Sequence, residues 1–357
     1  MSGSELSYLS LTVLLMTMTV YFTPWDTGYN LMDEASVLYE EAGTFDCVGE
    51  GDLVAIKLHV GELGNPYYIP PFFVRQIIGA VKSKGGKPFL TDSSTYYQAH
   101  RSNAVDHWEN AELNGYGGAP FIPADGLRSE SFRTVKTKGI LDEIEVSGAI
   151  AEADAMIVVS HCKGHALTGF GGAIKNLAMG CTPCTGKLRQ HRTVGLEIDG
   201  GRCVGCGACR NACALQLPEI VNRKAVNTSE LCMRCPACRD ACPTGAIQLV
   251  NMPALSMALA SAAYGVLSTF KKDKVSYVSF AKDIVQFCDC LPNPGHRVMD
   301  DIGIYASDSA VSIDAAFLNM ADYKKFNDAY GVDCMLQVKE AKKIGVRGEL
   351  KPKVEEI

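Results

Sequence analysis

Residues Ala155 to Cys181 read AMIVVSHCKGHALTGFGGAIKNLAMGC. The opening stretch, Ala155–Ser160, has no charged break, as expected of a strand buried on both faces of a parallel sheet. A glycine-rich loop follows and opens into a helix bearing Lys175 and Asn176, so the segment reads as a βα unit. The alternation extends in both directions. Upstream, Thr17–Thr23 reads as a strand, Leu31–Ala42 as an amphipathic helix and Asp52–Val60 as a buried strand. Pro70–Lys84 reads as a helix with proline at its start, where a missing N–H does no harm. Strand Lys87–Thr91, helix His100–Leu113, strand Phe132–Lys136 and the short helix Ala149–Asp154 come next. Downstream lie helix Ala254–Thr269, strands Val275–Phe280 and Ile302–Ala306, and helix Ser309–Met320. The tail from Val338 is rich in Lys and Glu and reads as solvated. The fold class is α/β, with a mostly parallel sheet flanked by helices.

The chain has 357 residues, 47% hydrophobic and 21% charged, with a net charge of −6. No long basic run occurs, which argues against a nucleic-acid binder. Fifteen cysteines in a chain of this length argue for thiolate ligation in a reducing compartment, the cytoplasm of an anaerobe, and against a disulfide framework. The apolar run Tyr8–Phe22 is too short to cross a bilayer comfortably. It has Glu5 where a signal peptide has basic residues, and no small-residue cleavage site precedes Pro24. The reading is cytoplasmic with no membrane span, and the start could be Met1, Met16 or Met18.

One internal repeat stands out. Cys203-x2-Cys206-x2-Cys209-x3-Cys213 recurs 29 residues later as Cys232-x2-Cys235-x2-Cys238-x3-Cys242, followed by Pro243. Three closely spaced thiolates can hold three irons of a cubane, and the fourth ligand must come from a distance. In two-cluster ferredoxins the fourth cysteine of each run serves the other cluster. Cys203, Cys206, Cys209 and Cys242 therefore form one 4Fe–4S set, and Cys232, Cys235, Cys238 and Cys213 the other. The competing metal is zinc, which takes four thiolates in two C-x2-C pairs. Zinc accounts for neither the repeated C-x3-C spacing nor Cys242-Pro243. The module spans 197–250 and reads as an insertion between host segments 16–196 and 251–345, with a charged tail at 346–357. The second host segment is too short and strand-poor to form a sheet alone.

Ser160–Cys181, together with Ile56-Lys-Leu-His-Val-Gly-Glu-Leu-Gly-Asn65, Phe89-Leu-Thr-Asp-Ser93, Cys288-Asp-Cys290 and Asp301-Ile-Gly-Ile304, resembles the iron–sulfur centre proteins built on domain of unknown function 362. The resemblance runs from about Val20 to Met320 and implies an α/β host with a ferredoxin insertion, with no reaction attached. His165-x4-Phe170-Gly171-Gly172-x2-Lys175 is also similar to a stretch of nickel-pincer lactate racemases, which implies His165 and Lys175 as pocket residues.

A glycine-rich loop between a parallel strand and a helix is where α/β sheets bind anions, so Gly169, Gly171, Gly172 and Asn176 are candidate cofactor-binding residues. Lys57, His59, His165 and Lys175 are the candidate catalytic residues. With His161, Lys163, Glu62 and Asp92 they lie near strand carboxyl ends that share one face of a parallel sheet. The alternative is that GFGG is a packing turn and each His or Lys an ordinary satisfied residue. Cys181 with Cys288 and Cys290 is a candidate third metal or redox site. Cys181-x2-Cys184 is a further pair, whereas Cys47 and Cys334 read as buried hydrophobes.

Three functions fit. The clusters could pass electrons to or from a small anionic substrate in the strand-end crevice. The chain could instead be an electron carrier docking a redox partner protein, or a racemase-like or lyase-like host whose clusters sense redox state or shape the fold. No G-x-G-x-x-G follows the first strand, which argues against a dinucleotide fold of the usual kind. Anaerobically purified protein is expected to carry about eight iron and eight acid-labile sulfide per chain. Zinc without iron on metal analysis would refute the cluster reading.

Overall fold

The computed structural model describes residues 18–357. Most of the apolar run from Tyr8, and the alternative starts Met1 and Met16, lie outside the described residues. Among those described, no helix is long and apolar enough to cross a membrane.

Seven strands form the main sheet: β1 (Thr19–Pro24), β2 (Leu53–Lys57), β3 (Lys87–Thr91), β4 (Ala155–His161), β5 (Val275–Ala281), β6 (Gly303–Ser307) and β7 (Lys353–Glu356). Their spatial order is β7-β1-β6-β5-β4-β2-β3. Only β6 opposes the rest, pairing antiparallel with β1 and β5, so the sheet is mixed but mostly parallel. Eight helices matter for the layers: α1 (Leu31–Glu41), α2 (Pro71–Ser83), α3 (Ala104–Leu113), α4 (Ala173–Gly180), α5 (Cys184–His191), α6 (Pro253–Leu267), α7 (Ala310–Met320) and α8 (Leu336–Ile344).

Strand alternation divides the interior into two cores. Val54, Ile56, Ile157, Val159, Val278 and Phe280 pack with α1, α2 and α3 on one face. Ala55, Met156, Val158, Tyr277 and Tyr305 pack with α4, α6, α7 and α8 on the other. Because both faces are covered, the central strands are continuously apolar rather than alternating. Helix α6 is buried on nearly every side, which explains its lack of a polar stripe.

Several expectations need correction. The chain from Val338 is not a solvated tail. Val338 and Ala341 are fully buried on α8, and 353–356 form the edge strand β7, paired parallel with β1. The Lys and Glu content reflects the outer side of a helix and an edge position. Strand β2 ends at Lys57, so Leu58–Val60 leave the sheet and carry His59 with them. Phe132–Lys136 is a strand, but it lies outside the main sheet, in a hairpin with Glu143–Ser147, whose alternation with Glu gave a weak signal. His100–Asn103 lead into α3 as a turn; the Asn103 side chain caps the helix by accepting from the amides of Val105 and Asp106 at 3.1 Å each.

Residues 195–250 begin and end on one ribbon, Gly195–Ile198 pairing antiparallel with Ile247–Val250. Between these strands lie the eight repeat cysteines, a second ribbon (Glu219–Val221 with Lys224–Val226) and two short helical turns, Ala208–Ala212 and Ala237–Asp240. Cys203, Cys209 and Cys238 share a small core with Ala225, Ala246 and Ile247. The main sheet takes strands from both sides of this segment.

The start of α4 is fixed by Asp314 of α7, whose carboxylate accepts from the amides of Ala173 (2.7 Å) and Ile174 (2.9 Å). Burial pushes the Asp314 carboxyl up to about 7, against the pull of those two amides. A raised carboxyl makes a contribution that is whole below its unfolded value near 3.8 and is lost as pH rises through about 7. Its full size is on the order of 4 kcal/mol. In thermal melts from pH 5 to pH 8, wild-type protein is expected to lose stability relative to Asp314→Asn. Parallel melting curves would refute this.

Candidate functional site

The sheet reverses its winding between β2 and β4. Helices α1–α3 cover one face before this point, and α4 starts the cover of the other face after it. At such a switch point the loops beyond the strand carboxyl ends part and leave a crevice. The chain places charged side chains there in three groups.

The first group surrounds Lys57, at the end of β2. Its ammonium meets Asp92 Oδ1 at 3.0 Å, Asn176 Oδ1 at 2.7 Å and the Leu58 carbonyl at 3.1 Å. All three protons are thereby engaged and the residue is fully buried. A Cβ on Gly180 would overlap this ammonium, so the last residue of α4 must be small. Asp92 also lies 3.7 Å from Arg101 and 3.9 Å from His107. Burial works against its charge, but Lys57 and the neighbouring cations hold it far below the usual carboxylate range. Arg101 in turn pairs with Glu62 at 3.0 Å.

The second group centres on Asp289, in the loop after β5. His161, at the end of β4, presents Nδ1 to its carboxylate at 3.0 Å, and Lys163 lies 2.8 Å away. His161 Nε2 meets the Lys282 carbonyl at 2.6 Å, so the ring satisfies both nitrogens only by donating from both. Asp289 is buried, yet His161 and Lys163 keep it far below the ordinary carboxylate range. His59 is half-buried, and its Nδ1 accepts from the Gly61 amide at 3.0 Å. Burial, reinforced by the Arg101 charge, holds it well below the usual histidine value, so its imidazole is neutral.

The third group holds the sulfurs. Lys175, on α4, reaches Cys288 Sγ at 3.5 Å. Burial opposes its charge, but Cys288 and Cys290 outweigh burial and raise its pKa. A hydrogen bond from Cys290, offset in part by burial and aided by Lys175, lowers the Cys288 thiol well below its ordinary value; Cys290 is raised. Burial and Lys175 keep the His165 ring neutral, and its Nδ1 lies 2.8 Å from Thr168 Oγ1.

The crevice thus contains Lys57, His59, His165 and Lys175, but in different roles. Lys57 has no proton left for a ligand, and Asn176 positions it rather than a cofactor. Gly169, Gly171 and Gly172 form no open anion cradle. The first amides of α4 are taken by Asp314, and a Cβ on Gly172 would overlap both that carboxylate and the Phe170 ring. Nor does Cys181 join Cys288 and Cys290. It is fully buried, with its sulfur 4.0 Å from the Asn176 carbonyl. Among the described residues, no three His, Cys, Asp or Glu side chains gather closely enough to hold one metal ion. Arg101, His107, Lys187, His191 and Asp289 were not singled out from sequence. Only Asp289 carried a signal, as the middle residue of Cys288-Asp-Cys290.

The cysteine-rich segment abuts this region. Tyr96 donates to the Leu231 carbonyl at 3.0 Å, Arg192 pairs with Glu230, and the His191 ring reaches the Met233 backbone. Within the segment, Cys203, Cys206, Cys209 and Cys242 line one cavity with Pro243 and Ile247. Cys213 lies within electrostatic reach of Cys235 and Cys238, which are themselves within reach of Cys232. Several sulfurs have donors aimed at them: Ala225 N on Cys203 and Asn227 Nδ2 on Cys232, each at 3.2 Å. Burial notwithstanding, Thr244 and nearby amides lower the Cys242 thiol.

These features define an α/β protein with a cluster of largely buried charged side chains beyond the strand ends at its switch point and a cysteine-rich segment beside it. The chain belongs to the family described as Domain of unknown function (DUF362), whose model matches residues 54–319. No curated protein matches it. Among solved structures it is similar to the lactate racemase apoprotein from Thermoanaerobacterium thermosaccharolyticum, at 10% identity and a TM-score of 0.41, covering 81% of this chain and 54% of that one. It is also similar to a protein from Thermotoga maritima, at 12% identity and a TM-score of 0.37, covering 87% and 58%. The chain therefore spans little more than half the length of either structure.

Removing one partner of a buried ion pair typically costs about 3–5 kcal/mol. Lys57→Met is expected to lower the unfolding free energy by about that amount. Adding Asp92→Asn should cost less than the sum of the two single changes. Additive losses in denaturant titrations would show that the two residues act independently.

Proposed function

We propose that this chain is an iron–sulfur redox protein. Cys203, Cys206, Cys209 and Cys242 would hold one 4Fe–4S cluster, and Cys232, Cys235, Cys238 and Cys213 a second. The observation that carries this reading is the cavity lined by three cysteines of the first run and the last of the second. Four thiols lining one cavity, three from one C-x2-C-x2-C run and the fourth from the other, suit a multi-atom cluster. The amide donors directed at Cys203 and Cys242 suit anionic sulfur. When bound, such clusters supply one-electron transfer.

The second set is the one nearest the crevice, since Leu231 and Met233 flank Cys232 and touch Tyr96 and His191. Electrons would pass there between the module and the host site. The first set lies beside exposed apolar residues, Val204, Ile220, Val221 and Val226, a face suited to a redox partner protein. Of the crevice cations, Lys57, Arg101 and Lys163 are paired with carboxylates, whereas Lys175 meets only sulfur. Lys175 is therefore the cation left to stabilise negative charge that a small substrate brings or that develops there, with the neutral His59 and His165 nearby as proton carriers.

Crossed ligation gives a specific test. Cys213→Ser, although in the first run, should lose the same cluster as Cys232→Ser, leaving about half the iron and matching visible spectra. Cys242→Ser should match Cys203→Ser. Grouping by run, or zinc in place of iron, would overturn the proposal.

A further inference from the structure

Cys288-Asp289-Cys290 is a built turn. The Leu291 amide donates to the Cys288 carbonyl at 3.1 Å, closing a turn that brings the two thiols onto one side. Asp289 anchors the other side through His161 and Lys163. Its carbonyl accepts from the Glu62 amide at 2.9 Å, and the Cys290 carbonyl from the Tyr97 hydroxyl at 3.0 Å. Both cysteines are free thiols two residues apart on this turn, with Lys175 Nζ 3.5 Å from Cys288, and the pair shift each other, Cys288 down and Cys290 up. Packing alone asks for none of this: a buried structural cysteine has no need of a second thiol and an ammonium.

We propose that Cys288 and Cys290 are a dithiol–disulfide couple that collects the module's single electrons in pairs and reduces a low-molecular-weight disulfide. This rests on the iron–sulfur reading above. Two electrons, supplied one after the other by the module, would cleave the Cys288–Cys290 bond, with one proton taken up. The products are the Cys288 thiolate beside Lys175 and the Cys290 thiol. The thiolate attacks a substrate disulfide RSSR′, forming Cys288–S–S–R and releasing R′S⁻, which takes a second proton. Cys290 then gives up its proton and attacks Cys288 sulfur; RS⁻ leaves, takes that proton, and the internal disulfide is restored. The sum is RSSR′ plus two electrons and two protons to RSH plus R′SH. The ultimate source is a one-electron donor acting on the module.

The test uses anaerobic holoprotein reduced with dithionite, desalted, and mixed with 2-hydroxyethyl disulfide. Wild-type absorbance, bleached on reduction, should return with release of about two mercaptoethanol per electron pair, and peptide mapping should find Cys288 joined to Cys290. Cys288→Ser, with its iron and visible spectrum intact, should reoxidise at least tenfold more slowly. Cys290→Ser keeps the attacking sulfur without its resolving partner and should accumulate a mixed disulfide, one mercaptoethanol on Cys288. Equal reoxidation of wild type and Cys288→Ser, or two alkylatable thiols after exposure to the disulfide, would overturn this inference while leaving the clusters standing. A preparation without iron would overturn both readings.

Discussion

Asp289 is a fully buried carboxylate held between His161 and Lys163, two residues that follow directly from the end of β4. Burying such a group is expensive, and packed apolar side chains of the same volume would often stabilise a protein as well or better. Its contribution is positional. The loop after β5 folds back on itself through the Val298 N–Ile284 O, Gln286 N–His296 O and Phe287 N–Pro294 O bonds, and Asp289, at the tip beyond them, ties it across the mouth of the neighbouring strand. The direction of the Cys288 and Cys290 thiols follows from that tie. So does the placement of the Glu62 loop, whose amide reads the Asp289 carbonyl.

A second buried carboxylate sets the other wall. Asp314 occupies the amides that begin α4, so the helix start binds the protein's own chain and not a ligand. The helix is thereby pinned to α7, and Lys175 and Asn176, on its first two turns, project towards Cys288 and Lys57 respectively. The same anion-seeking property of a helix start that suggested a phosphate site here serves packing.

The α/β class, most strands and the strand-end location of the site were legible because buried parallel strands leave long apolar runs and share one carboxyl-end face. Segments at the surface of the fold were less legible. Edge strand β7 and helix α8 looked like a charged tail because their outward residues are Lys and Glu, while burial of Val338 and Ala341 depends on a partner helix over 70 residues earlier. Within the crevice, sequence indicated which residues come near one another but not which protons are already spent. Lys57 and Lys175 both read as free cations. Three oxygen acceptors around one and a thiol beside the other separate their roles. Arg101, His107 and Lys187 escaped notice because each sits in an unremarkable polar stretch and is drawn inward only by Asp92, Glu62 or Ser93.

The repeat cysteines and the Cys288–Cys290 pair represent two uses of thiol chemistry on one chain. In the module, four sulfurs line one cavity and Cys203 and Cys232 receive N–H donors, which suits permanent ligation. Beyond the strand ends, Cys288 and Cys290 share one turn with an ammonium beside the first, which suits a bond that forms and breaks. A cluster moves one electron at a time, whereas a disulfide opens only with two. The proposed pair of one-electron clusters, with the second cysteine set beside the host, would match that difference in number. On this reading the host domain does more than carry the module, because it supplies the place where single electrons become a pair.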